Sequence, residues 1–179
     1  MMRIGLDIDN VILNTDEVLL EAFKEEDIKK RNMGIINPNA DYIMSGMFDW
    51  TKEEISEFLV NNMEKIAEKA RPLNNVKKYM DLLMRDGHEL YLVSNRSYPQ
   101  YKNPLKTTED SLDKYNISYT KLILTETNDK SREVLENNID VFQPLNIRED
   151  NAWIREKNPD LIITCAYGQI VPKAVLEVP

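Results

Sequence analysis

An α/β fold built on a parallel sheet is what the sequence predicts, and three observations carry that expectation. Short apolar runs of strand length, "RIGLDI" (3–8), "ELYLVS" (89–94), "KLILT" (121–125) and "DLIITCA" (160–166), are bounded by turn residues. From residue 71 onward such runs alternate with stretches of helical spacing, the pattern of parallel strands joined by crossover helices. The 179 residues, 42% of them apolar, are enough for one domain with a sizeable core, or for a core domain with a small insertion.

Each element follows in order. Residues 3–8 form the first strand, with Ile4, Leu6 and Ile8 on one face and Gly5, Asp7 and Asp9 on the other. "VILNTDEVLLEAFKE" (11–25) begins a helix whose apolar stripe is Val18, Leu19, Ala22 and Phe23. Residues 31–50 are irregular, broken by Gly34, Pro38 and Gly46. The strongest helix signal is "TKEEISEFLVNNMEKIAEKA" (51–70). Thr51 and Glu54 make a capping box there, and Ile55, Phe58, Leu59, Met63, Ile66, Ala67 and Ala70 recur at helical spacing until Pro72. A helix over about 75–85 ends at Asp86-Gly87 and leads into "ELYLVS". Helices over about 104–115 and 130–138 flank "KLILT", and a strand "DVF" (140–142), a helix (149–157) and "DLIITCA" complete the alternation. The expected organisation is a core of 1–14 and 71–140, a lid-like helical block of 15–70, and a strand-helix-strand segment of 141–179 that completes the sheet.

Composition narrows the function classes. A formal charge of −8 disfavours a surface built to grip a nucleic-acid polymer, since phosphate backbones are bound by clustered Lys and Arg. A small anionic ligand stays compatible with a locally positive site. The single cysteine, Cys165, allows neither an internal disulfide framework nor a cysteine-rich zinc site, which suits a reducing cytoplasm. The first apolar run contains Arg3, Asp7 and Asp9, unlike a signal peptide, and no apolar run approaches the ~20 residues that span a bilayer, so no membrane partner is expected. Nothing in the pattern speaks to oligomeric state.

Candidate chemistry gathers where strand tips converge. Asp7 and Asp9 lie side by side at the end of the first strand, and like charges so close call for a cation or hydrogen-bond donors. Ser94, Asn95 and Arg96 end the second strand, and Lys130 opens a later helix. A nucleophilic carboxylate, a second carboxyl for proton transfer, a hydroxyl and a lysine match what phosphoryl transfer requires, with Mg²⁺ as the hard ion suited to carboxylate oxygens. His88 falls in a turn at the other end of its strand and is assigned no chemistry. Cys165 reads as a buried strand residue. Met44, Met47, Phe48 and Trp50 fit either a base-binding pocket or the core of the helical block.

The runs "GLDIDNVILNT", "YLVSNRS" and "KSREVLENNIDVF", with the helical insertion between the first two, resemble the haloacid dehalogenase-like hydrolases, in particular their 5'-nucleotidase-like branch with a helical cap. The resemblance covers residues 1 to about 142. It implies a Rossmann-like doubly wound sheet with the cap inserted after the first strand, and Mg²⁺-dependent hydrolysis of a nucleotide or other small phosphomonoester through an aspartyl-phosphate. By that resemblance Asp7 is the nucleophile and a metal ligand. Asp9 is the acid and base and lends its backbone carbonyl to the metal, Ser94 bonds the transferring phosphoryl group, and Lys130 holds charge beside Asp7. Asn10, Asn95 and Arg96 adjoin these residues as candidate substrate contacts. Asn10 stands where many members have glycine, and asparagine tolerates unusual backbone angles.

Two departures bear on activity. The family has an acidic pair after the strand read here as "IDVF", whereas this chain has Gln143, Pro144 and Leu145, with Glu149 and Asp150 the nearest later acids. The expected metal site is thus short of a carboxylate. From there "VFQPLNIREDNAWIREKNPDLIITCAYGQIVPKAVLEVP" (141–179) is similar to a segment of the folate-binding domain of methionyl-tRNA formyltransferase, with a seam near 137–142. That family's catalytic motifs lie beyond the segment, so no formyl-transfer residue is expected. Two rival readings stand beside the phosphohydrolase: a catalytically weak phosphate-binding protein, and a formyltransferase-related fragment.

Overall fold

Alternating burial along one strand positions everything else. In the computed structural model, which describes residues 2–40, 42–127 and 129–139, Leu90 and Leu92 of β2 (Glu89–Asn95) face one hydrophobic cluster while Tyr91 and Val93 face another. A strand covered on both faces is the mark of a parallel sheet. β2 pairs in parallel with β1 (Arg3–Leu6) on one side and β3 (Lys121–Thr125) on the other, in the order β1-β2-β3. Register sets Leu6 opposite Leu92 and Asn95 opposite Thr125, so the C-terminal tips of all three strands lie at one edge. The first cluster joins Leu6, Ile8, Ile12 and Leu13 to Met80, Leu112 and Ile117. On the opposite face a Cβ added to Gly5 would lie 3.5 Å from Ile139. The face assignment read for Ile4, Gly5, Leu6 and Ile8 therefore holds.

The helices are α1 (Thr15–Lys30), α2 (Lys52–Lys69), α3 (Val76–Arg85), α4 (Pro104–Asp113) and α5 (Ser131–Glu136). The first strand stops at Leu6 rather than Ile8, and α1 begins at Thr15 rather than Val11. Between them the chain turns back on itself. Ile12 and Leu13 donate their N–H groups to the Ile8 carbonyl, and Asn10 takes a left-handed φ of 60°. The Asn10 side chain then accepts the N–H of Asp16 at 2.8 Å, satisfying one of the unpaired donors of the first turn of α1. α5 is likewise shorter than the expected 130–138.

Residues 15–70 pack a core of their own, in which Phe23 touches Phe48, Trp50 and Phe58 with ring centroids 4.5–5.0 Å apart. The expected capping box of α2 is present, with the Glu54 N–H donating to Thr51 Oγ1 and the Thr51 N–H to Glu54. Phe48 and Trp50 are thus core residues and not pocket lining, Met47 packs against them, and Met44 is exposed. Both ends of this block meet. Leu13 bridges Pro72, the Asn14 N–H donates to the Arg71 carbonyl, and the Arg71 N–H donates to Asn14 Oδ1 at 2.7 Å. Among the described residues no helix is long and apolar enough to cross a membrane. The strands expected at 140–142 and 160–166 and the helix expected at 149–157 lie outside the described residues, together with Gln143, Pro144, Leu145, Glu149, Asp150 and Cys165.

Candidate active site

The two carboxylates at the tip of β1 each acquire a cation. Asp7 is buried; its Oδ1 accepts the N–H of Ile8 at 2.7 Å, and Lys130 Nζ reaches Oδ2 at 2.6 Å from the N-terminal edge of α5. Lys130 lies 123 residues from Asp7 in sequence, and the parallel β2–β3 pairing is what brings it back.

Asp9 has a different partner. The Arg96 side chain is wholly buried and grips Asp9 with two nitrogens, Nη2 to Oδ1 at 2.6 Å and Nε to Oδ2 at 3.1 Å. Thr15 Oγ1 donates to Oδ1 at 2.6 Å and Ser94 Oγ to Oδ2 at 3.2 Å. A carboxylate offers about four lone-pair positions, so these four donors use them all. Burial pushes the Asp9 carboxyl up, but the hydrogen bonds and charge of Arg96, helped by Thr15 and Ser94, outweigh burial and hold it below the ordinary value. Behind the guanidinium, Nη1 donates to Thr108 Oγ1 on α4 at 3.3 Å, and the buried Tyr101 ring lies 5.6 Å from Cζ.

The residues expected together from sequence, Asp7, Asp9, Ser94 and Lys130, do meet at one end of the sheet. Asn95 is half-buried as the last residue of β2. Asn10 is exposed and braces the start of α1. Arg96 is the main correction. Expected as a substrate contact, its side chain is instead buried as the counter-ion of Asp9. The sequence reading missed that pairing, and with it Thr15 and Thr108. The one available signal is position, since Arg96 follows a strand buried along most of its length. His88 accepts the N–H of Met2 at the opposite end of the sheet, as expected.

For a divalent cation, Asp7 supplies a hard carboxylate oxygen at the strand tip, the donor type Mg²⁺ takes. The Asp9 side chain is fully engaged, which leaves its backbone carbonyl as the second oxygen the resemblance implies. Among the described residues no group of three or more His, Cys, Asp or Glu side chains is placed to hold a metal.

Comparison with known proteins agrees with both resemblances. No family model matches the chain. Over 174 residues, 95% of this chain and 84% of the relative, it is 27% identical to the Bacillus subtilis (strain 168) protein named "Putative nucleotidase YqfW". A stretch of 48 residues, 25% of this chain, is 58% identical to the methionyl-tRNA formyltransferase of Clostridium novyi (strain NT), and the match spans only 16% of that enzyme's length. In fold the chain is similar to a HAD-superfamily hydrolase, subfamily IA, variant 1, from Geobacter sulfurreducens PCA. The TM-score is 0.51 at 13% identity, covering 78% of this chain and 75% of that one.

Proposed function

We propose that this protein is a cytoplasmic phosphohydrolase that acts on a nucleotide or another small phosphomonoester through an aspartyl-phosphate on Asp7. The observation that carries the reading is the placement of Lys130 Nζ 2.6 Å from Asp7 at a strand tip beside Asp9 and Ser94. Similarity to a protein named as a nucleotidase over 95% of the chain supports the same substrate class.

In this reading an Asp7 oxygen attacks phosphorus, and the bond from phosphorus to the ester oxygen breaks. Lys130 offsets the negative charge gathered beside Asp7, and the Ser94 hydroxyl turns to the phosphoryl oxygens. Asp9 protonates the leaving oxygen, then takes a proton from the water that attacks the acyl phosphate, which releases phosphate and restores Asp7. The donors that hold the Asp9 carboxyl below its ordinary value favour its carboxylate form, so the proton for the leaving oxygen comes from the less populated acid form. The second step is therefore well served, and the first is fastest with leaving groups that need little protonation. Asp7 and the Asp9 carbonyl would hold Mg²⁺, which supplies charge neutralisation at the phosphoryl oxygens. The helical block 15–70 serves as the cap, and the formyltransferase-like stretch is assigned no chemistry.

The test is hydrolysis of p-nitrophenyl phosphate and of nucleoside 5'-monophosphates with Mg²⁺. Turnover by the parent and its loss in Asp7→Asn, with folding intact, are expected. Undiminished turnover in Asp7→Asn would remove Asp7 as nucleophile.

A further inference from the structure

We propose that Arg96 is the positioning residue for Asp9, a guanidinium fixed from α4 that holds the carboxylate in the orientation from which it takes a proton from water. The inference rests on the phosphohydrolase reading above. It starts from a cost. Burying an arginine and a carboxylate together brings little net stability, because desolvation offsets most of the Coulombic gain. Stability alone therefore gives a weak reason for this pair to stand at the strand tips.

Geometry gives a stronger reason. A side-on fork, Nη2 to Oδ1 and Nε to Oδ2, fixes both the direction and the rotation of the carboxylate, which a point charge does not. The fork itself is immobile. Its third nitrogen is tied to Thr108 Oγ1, whose hydroxyl donates to the Pro104 carbonyl at 2.7 Å in the first turn of α4. The chain leading into α4 is held in turn by Glu64 of α2, which accepts the N–H groups of Lys102 and Asn103 at 2.7 and 3.0 Å. Of the four bonds to Asp9, the Ser94 bond is the longest at 3.2 Å. When the Ser94 hydroxyl turns to a bound phosphoryl group, Oδ2 regains one lone pair while Arg96 keeps the carboxylate in place.

A clamp on the base acts on the second half of the reaction. In rapid-quench kinetics with p-nitrophenyl phosphate and Mg²⁺, whose leaving group needs no acid, Arg96→Lys should release its first equivalent of p-nitrophenol at close to the parent rate. Its steady turnover should fall ~10-fold or more, since displacements near 1 Å cost up to about 100-fold, and trapped phosphoenzyme should accumulate. KM for the first step should stay close to the parent value. Arg96→Lys added to Asp9→Asn should cause no further loss. Thr108→Val, which loosens the clamp and keeps the arginine, should show the same split more weakly, and decides the matter if Arg96→Lys does not fold. Parallel loss of burst and steady turnover, or a further loss in the Asp9→Asn background, would overturn the proposal. A parent protein that releases no p-nitrophenol would instead overturn the phosphohydrolase reading, and the positioning role with it.

Discussion

Asp9 and Asp27 are both carboxylates drawn out of water, one at the tip of the sheet and one inside the helical block. Asp9 is neutralised by a buried guanidinium 87 residues away. Asp27 is wholly buried near the end of α1 and is held mainly by N–H donors within 23 residues, with the Arg31 charge adding to them. Trp50 Nε1 donates to Oδ1 at 2.8 Å, and the Gly34 and Met33 N–H groups donate to Oδ2 at 2.7 and 3.1 Å. A charge pair fixes one carboxylate as a rigid unit at the tips of the strands. Three neutral donors on Asp27 do something else, stitching the end of a helix, the loop after it and the aromatic core into one piece. The same side chain thus serves orientation in one region and assembly in the other.

The largest effect should come from breaking the charge pair. Arg96→Met leaves the Asp9 carboxylate without its counter-ion and should cost about 3–5 kcal/mol in urea unfolding. Adding Asp9→Asn removes the orphaned charge and should restore at least about half of that. No recovery would mean that Arg96 acts through packing and not through charge. Next comes Asp27→Ala, which strands an indole N–H and two backbone N–H groups and should cost about 2–3 kcal/mol by the same measurement. A loss as large as that of Arg96→Met would erase the distinction between the two aspartates.

Acid sharpens the contrast further. Burial pushes the Asp27 carboxyl up, but the Trp50, Gly34 and Met33 hydrogen bonds and the Arg31 charge outweigh it and keep it below its ordinary value. Its unfolded value is about 3.9. The stability it contributes is therefore present above that pH and lost as pH falls from about 4 through the lower folded value. In thermal unfolding across that range, the gap between the parent and Asp27→Asn should narrow as pH falls. A constant gap would count against a depressed carboxyl. The smallest effect is local: Thr51→Ala removes the cap of α2 and should cost about 1 kcal/mol. A cost near zero would show that packing of Phe58 and Ile66 alone sets the start of that helix.

What was legible in the sequence follows the range of the interaction. Thr51 and Glu54 are three residues apart, and their capping box is read directly from the chain. The Asp7–Lys130 pair spans the whole core, yet it was expected, because alternating strands and helices place both at strand tips and a known family shares that order. Arg96 had no such guide. Nothing in "SNRS" distinguishes a solvated arginine from one turned inward to a carboxylate across the sheet, because that depends on Asp9 after β1 and Thr108 on α4 being brought to it by the fold. Asp27 was hidden for a related reason: helical periodicity records where apolar residues fall and is blind to an acid buried among N–H donors. The start of α1 moved from Val11 to Thr15 because the turn at Asn10 is held by hydrogen bonds that no apolar pattern encodes.

The contact between Asn14 and Arg71 has a consequence for how such a chain can change. Two hydrogen bonds and the adjoining Leu13–Pro72 bridge bring the entry and exit of the helical block together, so to the sheet the whole of 15–70 is a tight turn. The entropy of closing a loop grows only with the logarithm of its length, so a turn pinned at its base accepts a longer or shorter passenger at little thermodynamic cost. The block is a cassette. It can be lengthened, exchanged or recut through insertion and deletion while β1 and β2 keep their register, and selection can rework the block without touching the carboxylates at the strand tips.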